Sequence, residues 1–250
     1  MTDNENILLK KLENENMETL IKRGRGAELE QYCSWIGKSI HGTAREKACS
    51  LLSWYDSKTY RERLKKYENL KLKIDIKKGP HGKTVRGSIS QYLGLKKIRP
   101  VILSKFNYKC SICGFEPEES ERKKLHVHEI EEYDFDTSIC ELKGLVLICS
   151  SCHSFHHLYR TYSIATEAQM DELISHFTRV NGIESEDYHE YFRLLRYSWR
   201  NESMKSLDEM INRSVISDRE EKVTFRISFD MPYKEEVIKL LKEKDLYVRN

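Results

Sequence analysis

The sequence predicts an α+β fold, and three patterns carry the prediction. Apolar residues recur at helical spacing over much of residues 28–69 and again over 166–200. Between these regions lie "LHVHEI" and "LKGLVLIC", two stretches of strand-like length and character. Two Cys-x-x-Cys pairs bracket those strands. The expected organisation is a mainly helical region over 1–100 with a basic segment at 58–99, a cysteine-rich module over 101–165, and a helical region over 166–250 that ends in a strand and a helix.

Taken in order, Trp35, Ile36 and Ile40, then Leu51, Leu52, Trp54 and Tyr55, mark two or three helices between Glu28 and Asn69. "LKLKIDIKKG" (Leu70 to Gly79) alternates apolar and charged residues and reads as a strand stopped by Gly79, Pro80 and Gly82. Past the cysteines, "TEAQMDELISHFTRVNG" has Thr166 as an N-cap, Leu173, Ile174 and Phe177 as an apolar stripe, and Asn181-Gly182 as its stop. "SEDYHEYFRLLRYSWRN" predicts a further helix with Tyr191, Phe192, Leu195 and Trp199 facing inward. "VTFRISFD" alternates as a strand does, and "YKEEVIKLLKEKDL" is amphipathic after Pro232.

A third of the residues are charged (33%), prolines and glycines are few, and no apolar run approaches the roughly 20 residues that span a bilayer. The opening stretch is acidic and mixed, where a signal peptide is basic and then apolar. A cytoplasmic protein without a membrane partner is expected. In that reducing compartment the seven cysteines are poor material for a disulfide framework, and close pairs read as metal ligands.

The formal charge of +3 conceals an uneven spread. Residues 58–99 hold fourteen Lys or Arg and three Asp or Glu, a net of +11, so the remainder carries −8. Such a segment suits DNA or another polyanion; the plainer account is a solvated helix face followed by a lysine-rich edge strand.

Cys110-Ser-Ile-Cys113 and Cys149-Ser-Ser-Cys152 have the spacing by which two tight turns present four thiolates to one tetrahedral Zn²⁺. Zinc bound there would contribute directly to folding. Cys33, Cys49 and Cys140 lack such spacing and are expected as small buried residues. Alternate residues of a strand share a face, so His126 and His128 point away from the side of Leu125 and Val127. A helix starting near Ser150 or Ser151 places His153 and His157 one turn apart on one face, and Cys152 about 100° from His153 serves the zinc instead. The histidines thus converge from a hairpin and the helix after it. Solvated histidines or alternative zinc ligands are the plainer reading.

"CSIC", "LHVHEI" and "LVLICSSCHSFHH", covering roughly Lys109 to Leu158, together resemble the HNH endonucleases with a ββα-metal fold, in the variety whose structural zinc is held by two CxxC pairs. His128-Glu129, Tyr133-Asp134 and "HFTRVNG" from His176 to Gly182 are similar to a bacterial subgroup of that family. The resemblance implies that His128, His153 and His157 hold a catalytic divalent ion such as Mg²⁺, Mn²⁺ or Ni²⁺. Two positions depart from the family pattern. Glu129 stands where the general base is usually histidine, and Gly144 stands where a structural asparagine usually precedes the second strand's "LxxLC". The base is then Glu129 or the same-face His126, with Glu129 preferred by position; alternatively Glu129 orients a liganding histidine. Asp134 and Asp136 lie near enough in sequence to add a carboxylate, though solvation is the ordinary fate of acidic loop residues.

The function implied is metal-dependent hydrolysis of DNA phosphodiester bonds, in the setting of genome defence or a mobile element. RNA is the other substrate of the class, with Trp35, Trp54 and Tyr55 as stacking platforms or, at their helical spacing, as core. The competing expectation is a catalytically inactive, zinc-stabilised module that binds nucleic acid or protein. A homodimer would let two sites cut both strands of a duplex.

Overall fold

The computed structural model describes residues 2–13, 15–23, 27–75, 84–134, 137–214 and 222–249, with the side chains of 23 and 200–214 left aside. The chain is α+β and divides into two compact units, one of Met1–Asn69 with Glu190–Ser206, the other of Leu70–His189 with Leu207–Asn250. Among the described residues no helix is long and apolar enough to cross a membrane.

The first unit is helical: α1 (Asp3–Leu12), α2 (Met17–Arg23), α3 (Ala27–Trp35), α4 (Ala44–Lys65) and part of α10 (Ser185–Ser214). Thr2 and Thr43 each close a capping box at the start of α1 and α4, satisfying backbone N–H groups that the helix leaves without internal partners. Leu8, Leu12, Leu29, Cys33, Ala48 and Leu51 form the dry centre of its core. Trp54 and Tyr55 are buried in the same cluster and Trp35 packs on Tyr32, so these aromatics serve the core. Ile40 is exposed, as is Cys49, which α4 turns away from the side of Ala48 and Leu51. Cys33 and Cys140 are buried as expected.

A charged network crosses this unit. Asp56 is 4% exposed and accepts from Arg63 Nη1 at 2.8 Å and from Arg193 Nη1, while Arg63 Nε also donates to Glu190 at 2.8 Å. Tyr67 Oη donates to the other Glu190 oxygen at 2.6 Å. Removing one partner of such a buried set leaves charge without compensation. Asp56→Ala is expected to destabilise this unit by about 3 kcal/mol, the lower end for broken buried pairs because Arg63 keeps Glu190. Urea unfolding followed by circular dichroism checks this, and a loss below about 1 kcal/mol would mean that the network is solvated.

In the second unit α5 (Val85–Ser88) is followed by a π-helical segment, Tyr92–Ile98, that runs into α6 (Arg99–Lys105). Strands β1 (Leu125–Asp134) and β2 (Ile139–Cys149) pair antiparallel, from Leu125 opposite Cys149 to Asp134 opposite Ile139. A bulge between Ile130 and Glu131 leaves Lys143 out of register. The last strand, β3 (Thr224–Ile227), adds to β2 in parallel, giving the order β1-β2-β3. Helix α7 (Ser150–His156) follows β2 without a loop, and α8 (Leu158–Ile164), α9 (Glu167–Asn181) and α11 (Lys234–Glu243) complete the unit.

Helix α9 begins on the Thr166 capping box and ends on Gly182 at φ +64°, a left-handed conformation suited to glycine. Its buried residues are Met170 and Phe177, with Leu173 and Ile174 half-buried. Phe177 packs against Phe155 (4.9 Å between ring centroids) and Tyr188 (5.2 Å).

Two expectations are corrected. Over 70–75 there is no strand; residues 76–83 lie outside the described residues. Leu72 and Ile74 are buried as the alternation requires, but the backbone finds partners other than a neighbouring strand. Asn181 clamps Leu72 through both its backbone groups at 3.0 Å, and Asp75 N donates to Phe155 O at 3.2 Å. On α10 the buried face carries Tyr188, Tyr191 and Leu194, while Phe192 and Leu195 are half-buried and Trp199 is exposed at 37%.

Candidate metal centres

The first centre is built from two turns. Cys110 N donates to Phe115 O and Gly114 N to Cys110 O, both at 2.9 Å, with Gly114 at φ +76° closing a tight knuckle. Ser111 N donates to Leu147 O at 2.8 Å, which fastens the knuckle to β2. Cys149 ends β2 and caps α7, accepting from Cys152 N at 3.5 Å. The four sulfurs of Cys110, Cys113, Cys149 and Cys152 all lie within 4.8 Å of one another.

The four thiols are close enough to shift one another's acidity. Hydrogen bonds with Cys149 and Cys152 hold Cys110 far below the usual thiol range. Its hydrogen bond with Cys110 pushes Cys149 up to about 12, and bonds with Cys110 and Cys149 raise Cys152 as well. Four thiolates at this spacing repel one another, and a divalent ion that deprotonates each ligand removes the conflict. The donor set therefore fits a tetrahedral structural metal such as zinc.

His176 on α9 adds a contact that sequence reasoning missed. Its Nδ1 lies 3.3 Å from the guanidinium of Arg179, which can only donate, so Nε2 carries the hydrogen and donates toward Cys152 Sγ at 3.3 Å. The "HFTRVNG" stretch was the available signal, but no spacing rule ties it to the cysteines.

The second cluster lies where β1 meets α7. His128 is 5% exposed, and His128, His153 and His157 bring one nitrogen each within 4.8 Å of one another. Two ligands about 2 Å from a shared ion stand at most about 4 Å apart, so these donors fit a divalent ion after a small adjustment. Burial, then His157, His126 and His156, and finally Arg86, lower the His153 pKa to about 3. The ring is therefore neutral near pH 7, which a metal ligand requires.

His126 stacks on His153 with ring centroids 4.7 Å apart and planes 5° from parallel. Its Nε2 is 3.0 Å from Ser150 Oγ, whose hydroxyl donates to Lys124 O at 3.1 Å. Ser150 must then accept from His126, so Nε2 carries the hydrogen and Nδ1 the lone pair. Burial, with Arg99 and Arg86 behind it, lowers the His126 pKa and keeps that pair available.

Glu129 lies elsewhere. Alternation sends it to the side of Leu125 and Val127, where it accepts from Arg86 Nε at 2.9 Å while Arg86 Nη2 donates to Val127 O at 2.6 Å. Arg86, Glu129, Arg99, Lys123 and His126 line a cavity of about 620 Å³ that is otherwise walled mainly by apolar residues of β1, β2 and the π-helical segment. Arg99 donates to Leu125 O and Arg122 O at 3.0 and 3.1 Å. Part of the basic segment is thus committed to holding β1. At Gly144 an added Cβ would meet Ile130 Cδ1 at 3.2 Å, a crowding that its half-exposed partner could relieve by rotating. Asp134 sits at the opposite end of β1 from Leu125 and accepts from Thr137 at 2.7 Å; Asp136 lies outside the described residues.

Two residues missing from the sequence reading also meet His128. Asp75 and His156 each bring a ligand atom within 4.8 Å of it and of each other. His156 was one step from a residue already singled out, whereas nothing in the sequence links Asp75 to the cluster.

No protein-family model, no curated protein and no solved structure matches this chain.

Proposed function

We propose that the chain is a metal-dependent HNH-type endonuclease that hydrolyses phosphodiester bonds of DNA. The observation that carries the reading is the convergence of His128, His153 and His157 at the junction of a β-hairpin and a helix, directly beside the tetracysteine cluster. A divalent ion held by the three imidazoles would polarise the phosphate and stabilise the leaving 3′ oxygen. The chain's own residues do the rest. His126, neutral and with Nδ1 unprotonated, takes a proton from the attacking water. Glu129 is the weaker choice for that role because Arg86 engages its carboxylate on the cavity side. Arg86, Arg99 and Lys123 give the cavity beside His126 the positive lining that an anionic strand needs.

The test is cleavage of supercoiled plasmid with Mg²⁺, Mn²⁺ or Ni²⁺, run beside His153→Ala at matched zinc content. Metal-dependent nicking that the substitution lowers by at least about 100-fold is expected, in line with loss of a main catalytic element. The pairing of Glu129 with Arg86 favours one other reading, a zinc-stabilised binding module without activity. Plasmid binding without cleavage under every metal would select it.

A further inference from the structure

We propose that Asp75, His128 and His156 form a second position for a divalent cation, distinct from the three-histidine set although it shares His128. The three ligand atoms lie within 4.8 Å of one another. Two imidazoles and a carboxylate make a mixed nitrogen and oxygen set without thiolate, which suits divalent first-row ions including Mn²⁺.

The placement of Asp75 is built into the fold. Leu72 and Ile74 are buried (0% and 5% exposed), and both backbone groups of Leu72 are gripped by the Asn181 side chain at the end of α9. Asp75 N then donates to the carbonyl of Phe155, the residue before His156. The bond that fixes the aspartate is thus made to the helical turn that carries one of the histidines. Phe155 itself is fully buried against Phe177, so that turn is anchored from the core side. Asp75 is exposed at the surface of the unit.

The position stands on donor geometry alone and needs no phosphodiester chemistry. Its test uses the full chain with zinc in the tetracysteine cluster and the double variant His153→Ala/His157→Ala, titrated with Mn²⁺ and followed by the electron paramagnetic resonance of the free ion. The double variant is expected to bind one Mn²⁺ whose spin-echo modulation shows two histidine nitrogens. Adding Asp75→Asn or His156→Ala should weaken binding at least about 10-fold, and the second change should also reduce the nitrogens to one. Unchanged zinc content and far-ultraviolet circular dichroism show that each variant is folded. No Mn²⁺ bound by the double variant overturns the proposal, as does binding that Asp75→Asn and His156→Ala leave intact. A chain that binds Mn²⁺ in this way and cuts no plasmid keeps the second position and loses the nuclease reading; the converse result does the reverse.

Discussion

Cys149→Ser is expected to abolish metal binding at the tetracysteine cluster and unfold the region around β1, β2 and α7. Cys149 is 4% exposed, ends β2 opposite Leu125, caps α7 and lies with its Sγ 3.6 Å from Cys113 Sγ, so one residue joins the knuckle, the hairpin and the helix. A structural zinc in a small module contributes about 10–16 kcal/mol, against about 5–15 kcal/mol for the whole stability of a domain. No margin is left once the ion is gone. Serine preserves the helix cap, since its hydroxyl can accept from the same backbone N–H, and removes only the thiolate. The readouts are zinc content by atomic absorption and amide hydrogen exchange. Zinc is expected to fall well below one equivalent and the amides of β1, β2 and α7 to lose protection, while the core of Leu8, Leu29 and Leu51 keeps its own. Full protection in zinc-free protein would show that the four cysteines are not a structural metal centre.

His126→Ala is expected to lower plasmid cleavage by about 10² to 10⁴-fold, the usual worth of a general base, with Mn²⁺ affinity changed far less. Glu129→Gln should cost less than about 10-fold, because the carboxylate it replaces faces Arg86 and the cavity. Separating rate from metal binding is what distinguishes a base from a ligand. Should Glu129→Gln abolish cleavage while His126→Ala spares it, the assignment is reversed: Glu129 would have to leave Arg86 when substrate enters. A loss of Mn²⁺ binding in His126→Ala would make the stacked ring a support for His153 instead.

The tetracysteine cluster and the three-histidine group were legible because each rests on short-range geometry. A Cys-x-x-Cys pair closes its own turn, a strand sends His126 and His128 to one side, and the short helix α7 brings His153 to His157, the residue just past its end. Helix α9 was legible for the same reason, since the Thr166 cap and the Gly182 stop act within one turn of its ends. Periodicity served less well where several apolar residues crowd together. In "YFRLLRY" it predicted Leu195 where Leu194 is buried, because adjacent leucines differ by only 100° and the surrounding packing decides between them.

By itself, then, the sequence determined the α+β class, the hairpin and helix that carry the histidines, and the four cysteines of the candidate structural metal centre, all through contacts that close within a turn or along a strand. Only the tertiary structure decided that residues 70–75 are held by an asparagine side chain and a helix carbonyl instead of a neighbouring strand, that Arg86 takes Glu129, that His176 reaches Cys152, and that Asp75 meets His128 and His156. Those pairings join residues far apart in the chain, and packing of the unit brings them together: burial of Leu72, Phe155 and Phe177 seats residues 70–75 beside α7, a property of no local pattern.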